Sequence, residues 1–487
     1  MNRMAGIPAE TSGRSIGDSG DSNHRLPPRA CDLLIEGGRV LDLDASVGVA
    51  DGVAIAVAGD QIVDVGPAAE VRARWVPARR LDATGHVIAP GFVDAHVHLG
   101  AYLYGGRPYV RSSGPGPFSG ASQIEVILPM VARMCSAPVS DDHVAAAVRP
   151  ALAAMLRAGI TGVVDAGGPG PGGVVRAATE VGIRAAIGPS LADHWHGSDG
   201  RLARQADADH LLAAACDFVD QHDGAGDGRV RAVVSAVAPT ACSDELLAGI
   251  AQLSATRNIP VHAHSHVSEA AVRAHDEAFG RTETERLAVA GLMNERCTLM
   301  HAGWLTAQDI RAFARAGMTI NYNPVGNAML GSGVTAAGAV QRLLAAQVPV
   351  VLGSDYAPLT VTSPFELMRA ALMLQRDLMA RDDGLTLEQA LRMAASEGNT
   401  LGRPGNLGRV DAGQLADLIL IKTSGLHHLG IDHPVPALAL HARADDVATV
   451  IVDGRVVVEE GQLVTCDEEA LIADARSVLE RRRGPAR

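Results

Sequence analysis

The hydrophobic pattern of this chain changes its period twice. From Asp32 onward, short β-branched runs alternate with Gly/Asp turns: Asp32-Leu-Leu-Ile-Glu-Gly-Gly-Arg-Val-Leu-Asp42, then 52–57, then 61–66 across a Gly59-Asp60 turn. Such runs predict hairpins of an antiparallel sheet. The same texture returns after residue 407, in 413–421, and in 447–452 and 455–458 joined by Asp453-Gly454. The two ends of the chain are therefore expected to build one small β domain around a larger insert. Between residues 89 and 400 the pattern alternates. Apolar runs at 87–97, 160–166, 183–188, 230–236, 259–264, 297–301, 318–322 and 349–354 are separated by Ala/Leu/Arg-rich stretches with helical spacing, such as 143–157, 244–256 and 306–316. Ser243, Asp244 and Thr306 stand where helix N-caps belong. Strands alternating with helices predict a parallel sheet. Eight of them is the number that closes a (β/α)8 barrel, whose functional groups lie at the C-terminal strand ends. The alternative is an open doubly wound sheet, but no Gly-x-Gly-x-x-Gly follows the first strand.

Composition narrows the function classes. The 487 residues are 47% hydrophobic and 20% charged, enough for a large core. A net charge of −13 without a basic run argues against nucleic acid as partner. No apolar run approaches the roughly 18–20 residues of a membrane span. Residues 1–28 are Gly/Ser/Asp/Arg/Pro-rich without the apolar core of a signal peptide, and read as a disordered tail. The six cysteines, Cys31, Cys135, Cys216, Cys242, Cys297 and Cys466, show no CxxC spacing and read as reduced thiols of a cytoplasmic protein. Lys422 is the only lysine. A Schiff base or a carboxylated-lysine metal bridge is thereby excluded, unless Lys422 itself reaches the site.

The chemistry gathers at predicted strand ends. The first strand leaves a Pro90-Gly91 turn and ends in His96-Val97-His98. Alternate strand residues share a face, so both imidazoles point the same way. The fifth strand carries His262, His264 and His266, the sixth ends in His301, and the eighth ends in Asp355. Histidines and a carboxylate converging at one barrel face fit a zinc-type site with an open coordination position.

These stretches resemble the amidohydrolase superfamily. The resemblance runs through Pro90-Gly-Phe-Val-Asp-Ala-His96-Val-His98, the fifth-strand histidines, Cys297-Thr-Leu-Met-His301-Ala-Gly-Trp-Leu305, Asn323-Pro-Val-Gly-Asn327 and Gly353-Ser-Asp355. From about Asp32 to Leu479 the chain is similar to the chlorohydrolase and aminohydrolase branch, which includes S-adenosylhomocysteine, guanine and cytosine deaminases and s-triazine hydrolases. The resemblance implies a (β/α)8 barrel at 89–401, a flanking β-sandwich from 29–88 and 402–466, a C-terminal helix at 467–487, and a homo-oligomer, a dimer or higher. It implies one divalent ion, zinc by expectation with iron, cobalt or manganese as alternatives, held by His96, His98, a fifth-strand histidine and Asp355. Family helix length favours His264 as that ligand, whereas the family's His-x-x-Glu spacing fits only His266-Val-Ser-Glu269. Asp355 would move protons, His301 would polarise the reacting group, and Glu269 would be a shuttle or simply an acidic residue at a helix start. His262 would be a core histidine.

The implied activity is hydrolysis of a non-peptide C–N bond by a metal-activated water, in an amide, carbamate, urea or amino-substituted N-heterocycle. A deaminase or chlorohydrolase of an N-heterocycle is the alternative, and a non-catalytic binding protein on the same barrel is the remaining one. Where the deaminases carry His-Ala-Pro on the fourth strand, this chain reads Val237-Ala238-Pro239, which lowers purine substrates in the ranking. His266, His194, Tyr102 and Asn323 are candidate substrate contacts. His194 belongs to a loop with Trp195 and His196, and Tyr102 to a loop at 99–122 that concentrates aromatic residues and reads as a lid or pocket wall.

Overall fold

The computed structural model describes residues 27–43, 48–104, 138–196, 202–356, 363–378, 384–396, 400–403 and 406–483. The expected tail up to residue 26, Cys135, and most of the loop at 99–122 with Arg107, Tyr109, Arg111 and Phe118 lie outside the described residues.

The chain has a TIM-barrel type α/β fold. Its parallel strands are β1 (Phe92–Val97), β2 (Ile160–Asp165), β3 (Arg184–Ile187), β4 (Val234–Ala236), β5 (Val261–Ser265), β6 (Cys297–His301), β7 (Thr319–Tyr322) and β8 (Val350–Leu352). β1, β2 and β3 pair in order with Val230–Ala232, and β4 to β8 pair in order with Ser190–Leu191. The fourth predicted strand is thus broken in two, and beyond the third the chain adds the short strand Ser190–Leu191 to the other sheet. The break falls where Gly188 meets the Val233 carbonyl so closely that a Cβ would collide with it. β1 and the end of β8 are joined by a parallel bridge between Val97 and Asp355: Asp355 N–H donates to His96 O at 2.8 Å, and His98 N–H donates to Asp355 O at 3.1 Å. Small residues (Val93, Ala95, Val164, Ala186, Val233 and Val351) form one buried cluster, while the larger aliphatic residues pack with the helices.

The helices start where side-chain caps allow. Ser243 accepts from Leu246 N–H ahead of Asp244–Arg257, and Thr306 forms a capping box with Asp309 ahead of Ala307–Ala316. Asp244, also placed at a cap by its sequence, is instead the first helical residue and pairs with Arg281 and Arg286. The C-terminal stretch forms the helix Glu468–Arg483, tied to the helix Asp141–Arg157 by Glu468 and Arg157 at 3.0 Å.

The predicted first strand at 87–97 divides at Pro90-Gly91. His86–Pro90 belongs to a seven-stranded sheet with Leu418–Lys422 and Val447–Val452, and only Phe92 onward enters the parallel sheet. Gly91 N–H donates to Asp417 O at 2.9 Å, and a Cβ at Gly91 would collide with Thr161. This close approach turns one apolar run into strands of two sheets. A second sheet orders Gln61–Pro67, Val53–Ala58, Arg29–Glu36 and Trp75–Asp82. Leu33, Ile35, Ile55, Ile62, Ile88, Leu418 and Ile451 from the two sheets share one core. A buried cation ties this region to the barrel strands: Arg184 of β3 donates to Asp417 Oδ2 and to Asp453 Oδ1, each at 2.8 Å. Lys422 is exposed at the end of its strand, paired with His86, so the sole lysine takes no part in the cluster described next.

Candidate metal centre

Five of the candidate groups meet at the C-terminal ends of β1, β5, β6 and β8. His96 Nε2 lies 3.4 Å and His98 Nε2 3.7 Å from Asp355 Oδ1, and His264 Nε2 is 3.3 Å from His98 Nε2. The His301 ring lies 5.6 Å from both the His96 and His264 rings. Ligand-type atoms of His96, His98 and His264, and again of His96, His301 and Asp355, are all within 4.8 Å of one another.

The backbone aims these groups. His301, Ala302 and Asp355 have φ of +71°, +38° and +68°, left-handed values that non-glycine residues adopt at a cost. Carbonyls fix two of the rings. His98 Nδ1–H donates to Gly167 O at 3.0 Å and His264 Nδ1–H to Val237 O at 2.8 Å. Both therefore present an unprotonated Nε2, and these two lone pairs face each other at 3.3 Å. His301 Nδ1–H donates to Asn327 Oδ1 at 2.6 Å, which leaves its Nε2 as the free nitrogen. Among the described residues, neither ring nitrogen of buried His96, nor Asp355 Oδ2, has a hydrogen-bond partner. Lone pairs turned on one another and unpartnered buried nitrogen and oxygen atoms fit a bound cation.

Burial holds three of the imidazoles, His96, His98 and His264, below their ordinary range. Burial, reinforced by the charge of His98, lowers His96 to about 4 against the pull of Asp355. Burial also lowers His98 and takes His264 well below its usual value. Burial works to raise Asp355, but the close approach of His96 and the neighbouring His301 and His98 hold it below the ordinary carboxylate range. A neutral imidazole set with an ionised carboxylate is the protonation state a divalent ion requires.

Other predicted residues lie elsewhere. His262, one strand repeat below His264, is buried with Nε2 3.1 Å from Thr400 O. His266 differs from its expected place at the substrate: φ is +50°, and its ring is taken up by Ser265 Oγ at 2.7 Å, Thr284 Oγ1 at 3.4 Å and the Phe313 ring. Glu269 is the exposed first residue of the helix Glu269–Phe279, and half-buried Val267 stands three residues after His264. His194 lies on the ribbon His194–His196, bonded to Asp193 at 3.1 Å, and is not brought to the cluster. Tyr102, on the turn Leu99–Tyr104, has its phenol raised by burial and by the charges of Asp94 and Tyr356. Asn323 stands just ahead of the helix Pro324–Leu330 with its amide 3.4 Å from His301 Nδ1.

Sequence reasoning passed over two carboxylates. Asp94 accepts from Ser354 N–H at 2.9 Å and from His96 N–H at 3.3 Å, and burial raises it to about 6. Asp165, raised by burial to about 7, accepts from Leu99 N–H at 3.0 Å. Their signal was present, an Asp two residues before His96 and another closing β2.

The family model of amidohydrolases matches residues 87–457, which contain every one of the clustered groups. The chain belongs to the amidohydrolase family. This amidohydrolase is a hydrolase acting on carbon–nitrogen bonds other than peptide bonds. It is 28% identical over 447 residues to a 5-methylthioadenosine/S-adenosylhomocysteine deaminase of Pelotomaculum thermopropionicum, covering 91% of this chain and 97% of that one. Among solved structures, a zinc-bound adenosine deaminase from Xanthomonas campestris is 27% identical, with a TM-score of 0.81 over 94% of this chain and 100% of that one. A zinc complex of the atrazine chlorohydrolase of Arthrobacter aurescens shares the fold at 24% identity and a TM-score of 0.80, over 92% and 100% of the two chains.

Proposed function

We propose that His96, His98, His264 and Asp355 hold one divalent ion, zinc by preference, in a closed (β/α)8 barrel, and that the site hydrolyses a C–N bond of a small molecule. The cluster of three imidazoles and a carboxylate with unpartnered buried nitrogen and oxygen atoms carries this reading. The bridge between Val97 and Asp355 supports closure. A divalent ion in such a set supplies Lewis acidity and makes water nucleophilic at neutral pH. Asp355, held ionised, accepts the proton of the attacking water and passes it toward the leaving nitrogen. His301, oriented through Nδ1 by Asn327, offers Nε2 to the reacting group: protonated there, it donates to the oxyanion. Tyr102 and Asn323 are the remaining candidates for substrate contact. The chain is read as a homo-oligomer of the cytoplasm, and the free thiols of Cys31, Cys216, Cys242, Cys297 and Cys466 accord with a reducing compartment.

The position three residues after His264 bears on the substrate. Val267 stands there, and the carboxylate of Glu269 points from an exposed helix start. Deamination of an N-heterocycle gains from an acid that protonates a ring nitrogen, whereas an amide, carbamate or urea needs a proton only at the departing amine. Val267 therefore favours the latter class. Deamination of an amino-substituted N-heterocycle is the second reading, favoured by the names of the relatives. A turnover panel of amides, carbamates, ureas and aminated heterocycles, scored for amine or ammonia release with and without chelator, separates them. Loss of all turnover in His96→Ala together with loss of metal is expected; a folded wild-type protein that binds no divalent ion overturns the proposal.

A further inference from the structure

Four of the 18 histidines fall at 427, 428, 433 and 441, on the stretch between the sandwich strands Leu418–Lys422 and Val447–Val452. Three irregular turns set this stretch. His427 and His428 end the 3-10 turn Leu426–His428, His441 ends the π-helical turn Ala437–His441, and Asp446 ends the 3-10 turn Ala444–Asp446. A π-helical turn is uncommon and often accompanies a functional position. Nε2 of His427 lies 2.8 Å and Nε2 of His428 3.4 Å from the same atom, Asp446 Oδ2. The two rings are 4.3 Å apart and tilted by 42°. Arg443 N–H also donates to that oxygen, at 2.8 Å.

A His–Asp hydrogen bond stapling two turns explains His427. It does not explain His428. Three nitrogens on one oxygen exceed the two lone pairs that receive them well. The His428 side chain is fully buried, and its Nδ1 has no hydrogen-bond partner among the described residues. Its other nitrogen is aimed at a carboxylate already served. The His427 side chain is 27% exposed, which leaves a route from solvent. All three ligand-type atoms lie within 4.8 Å of one another.

We propose that His427, His428 and Asp446 form a second metal site, for a divalent ion of the zinc, nickel and copper class. Imidazole nitrogens with one carboxylate suit these ions and not magnesium or calcium. The site clasps the turns that close the seven-stranded sheet, and an ion bound there stabilises the native state by mass action.

The test uses the full chain carrying its resident metal. Wild type, His427→Gln and Asp446→Asn are equilibrated with micromolar Zn2+, and metal per chain and melting temperature are measured. Wild type is expected to take up about one more Zn2+ than either variant, and only its melting temperature should rise. Asp446→Asn keeps an oxygen for Arg443 N–H, and His427→Gln alters a partly exposed position, so both fold. Equal uptake by all three proteins, or no uptake by wild type beyond its resident ion, overturns the proposal. His96→Ala is expected to retain this second uptake, so the failure of one site is distinguishable from the failure of the other.

Discussion

Asn327 offers the sharpest test of how the site works. Its Oδ1 accepts the proton of His301 Nδ1 at 2.6 Å in a buried setting, and an amide oxygen only accepts. The bond therefore decides which His301 nitrogen faces the reacting group. Asn327→Leu keeps the volume and removes the acceptor. A hydrogen bond to a group that becomes charged contributes about 1.5–3 kcal/mol. If that interaction is made when His301 takes up its proton in the transition state, its loss lowers kcat by roughly 10- to 150-fold. KM and metal content should change little, because His301 is not assigned to the ion. Asn327→Asp accepts from the same N–H and should restore most of the rate, which a merely packing role would not do. The assay is steady-state kinetics with metal analysis on all three proteins. Wild-type kcat in Asn327→Leu, or a loss of rate that Asn327→Asp does not relieve, refutes the assignment.

Other expectations follow from the same geometry. His264→Ala should lose the catalytic ion and His266→Ala should keep it, as metal analysis of the folded variants will read. Asp417→Ala strips a buried partner from Arg184, whose side chain is 2% exposed, and should cost about 3–5 kcal/mol in urea unfolding; a loss below 1 kcal/mol would mean that Asp453 suffices alone. Burial lowers His275 to about 4, against the opposing charge of Glu283. Its folded pKa lies below its unfolded value, so its stabilisation is complete above about pH 6.5 and is lost as pH falls toward about 4. The stability of wild type relative to His275→Asn should drop by about 2 kcal/mol between pH 7 and pH 5, as parallel denaturation curves will show.

What the sequence determined by itself is what periodicity and residue chemistry carry. The alternation of apolar runs and helical stretches was enough to expect a parallel α/β architecture, and the placing of His96, His98, His301 and Asp355 at strand ends was enough to expect a cation site. Only the tertiary structure shows how the three histidines at the end of the fifth strand part company. Period-two spacing puts His262, His264 and His266 on one face, and that spacing alone does not separate them. They part because His262 lies lower, against Thr400, and because a left-handed turn at His266 sends that ring to Ser265 and Thr284. The division of 87–97 at Gly91 likewise rests on a contact with Thr161, and the burial of Arg184 on carboxylates more than two hundred residues away. Asn327 was visible in its motif, but its bond to His301 was not. Such choices depend on residues distant in sequence meeting within a few ångströms, and local pattern is blind to them.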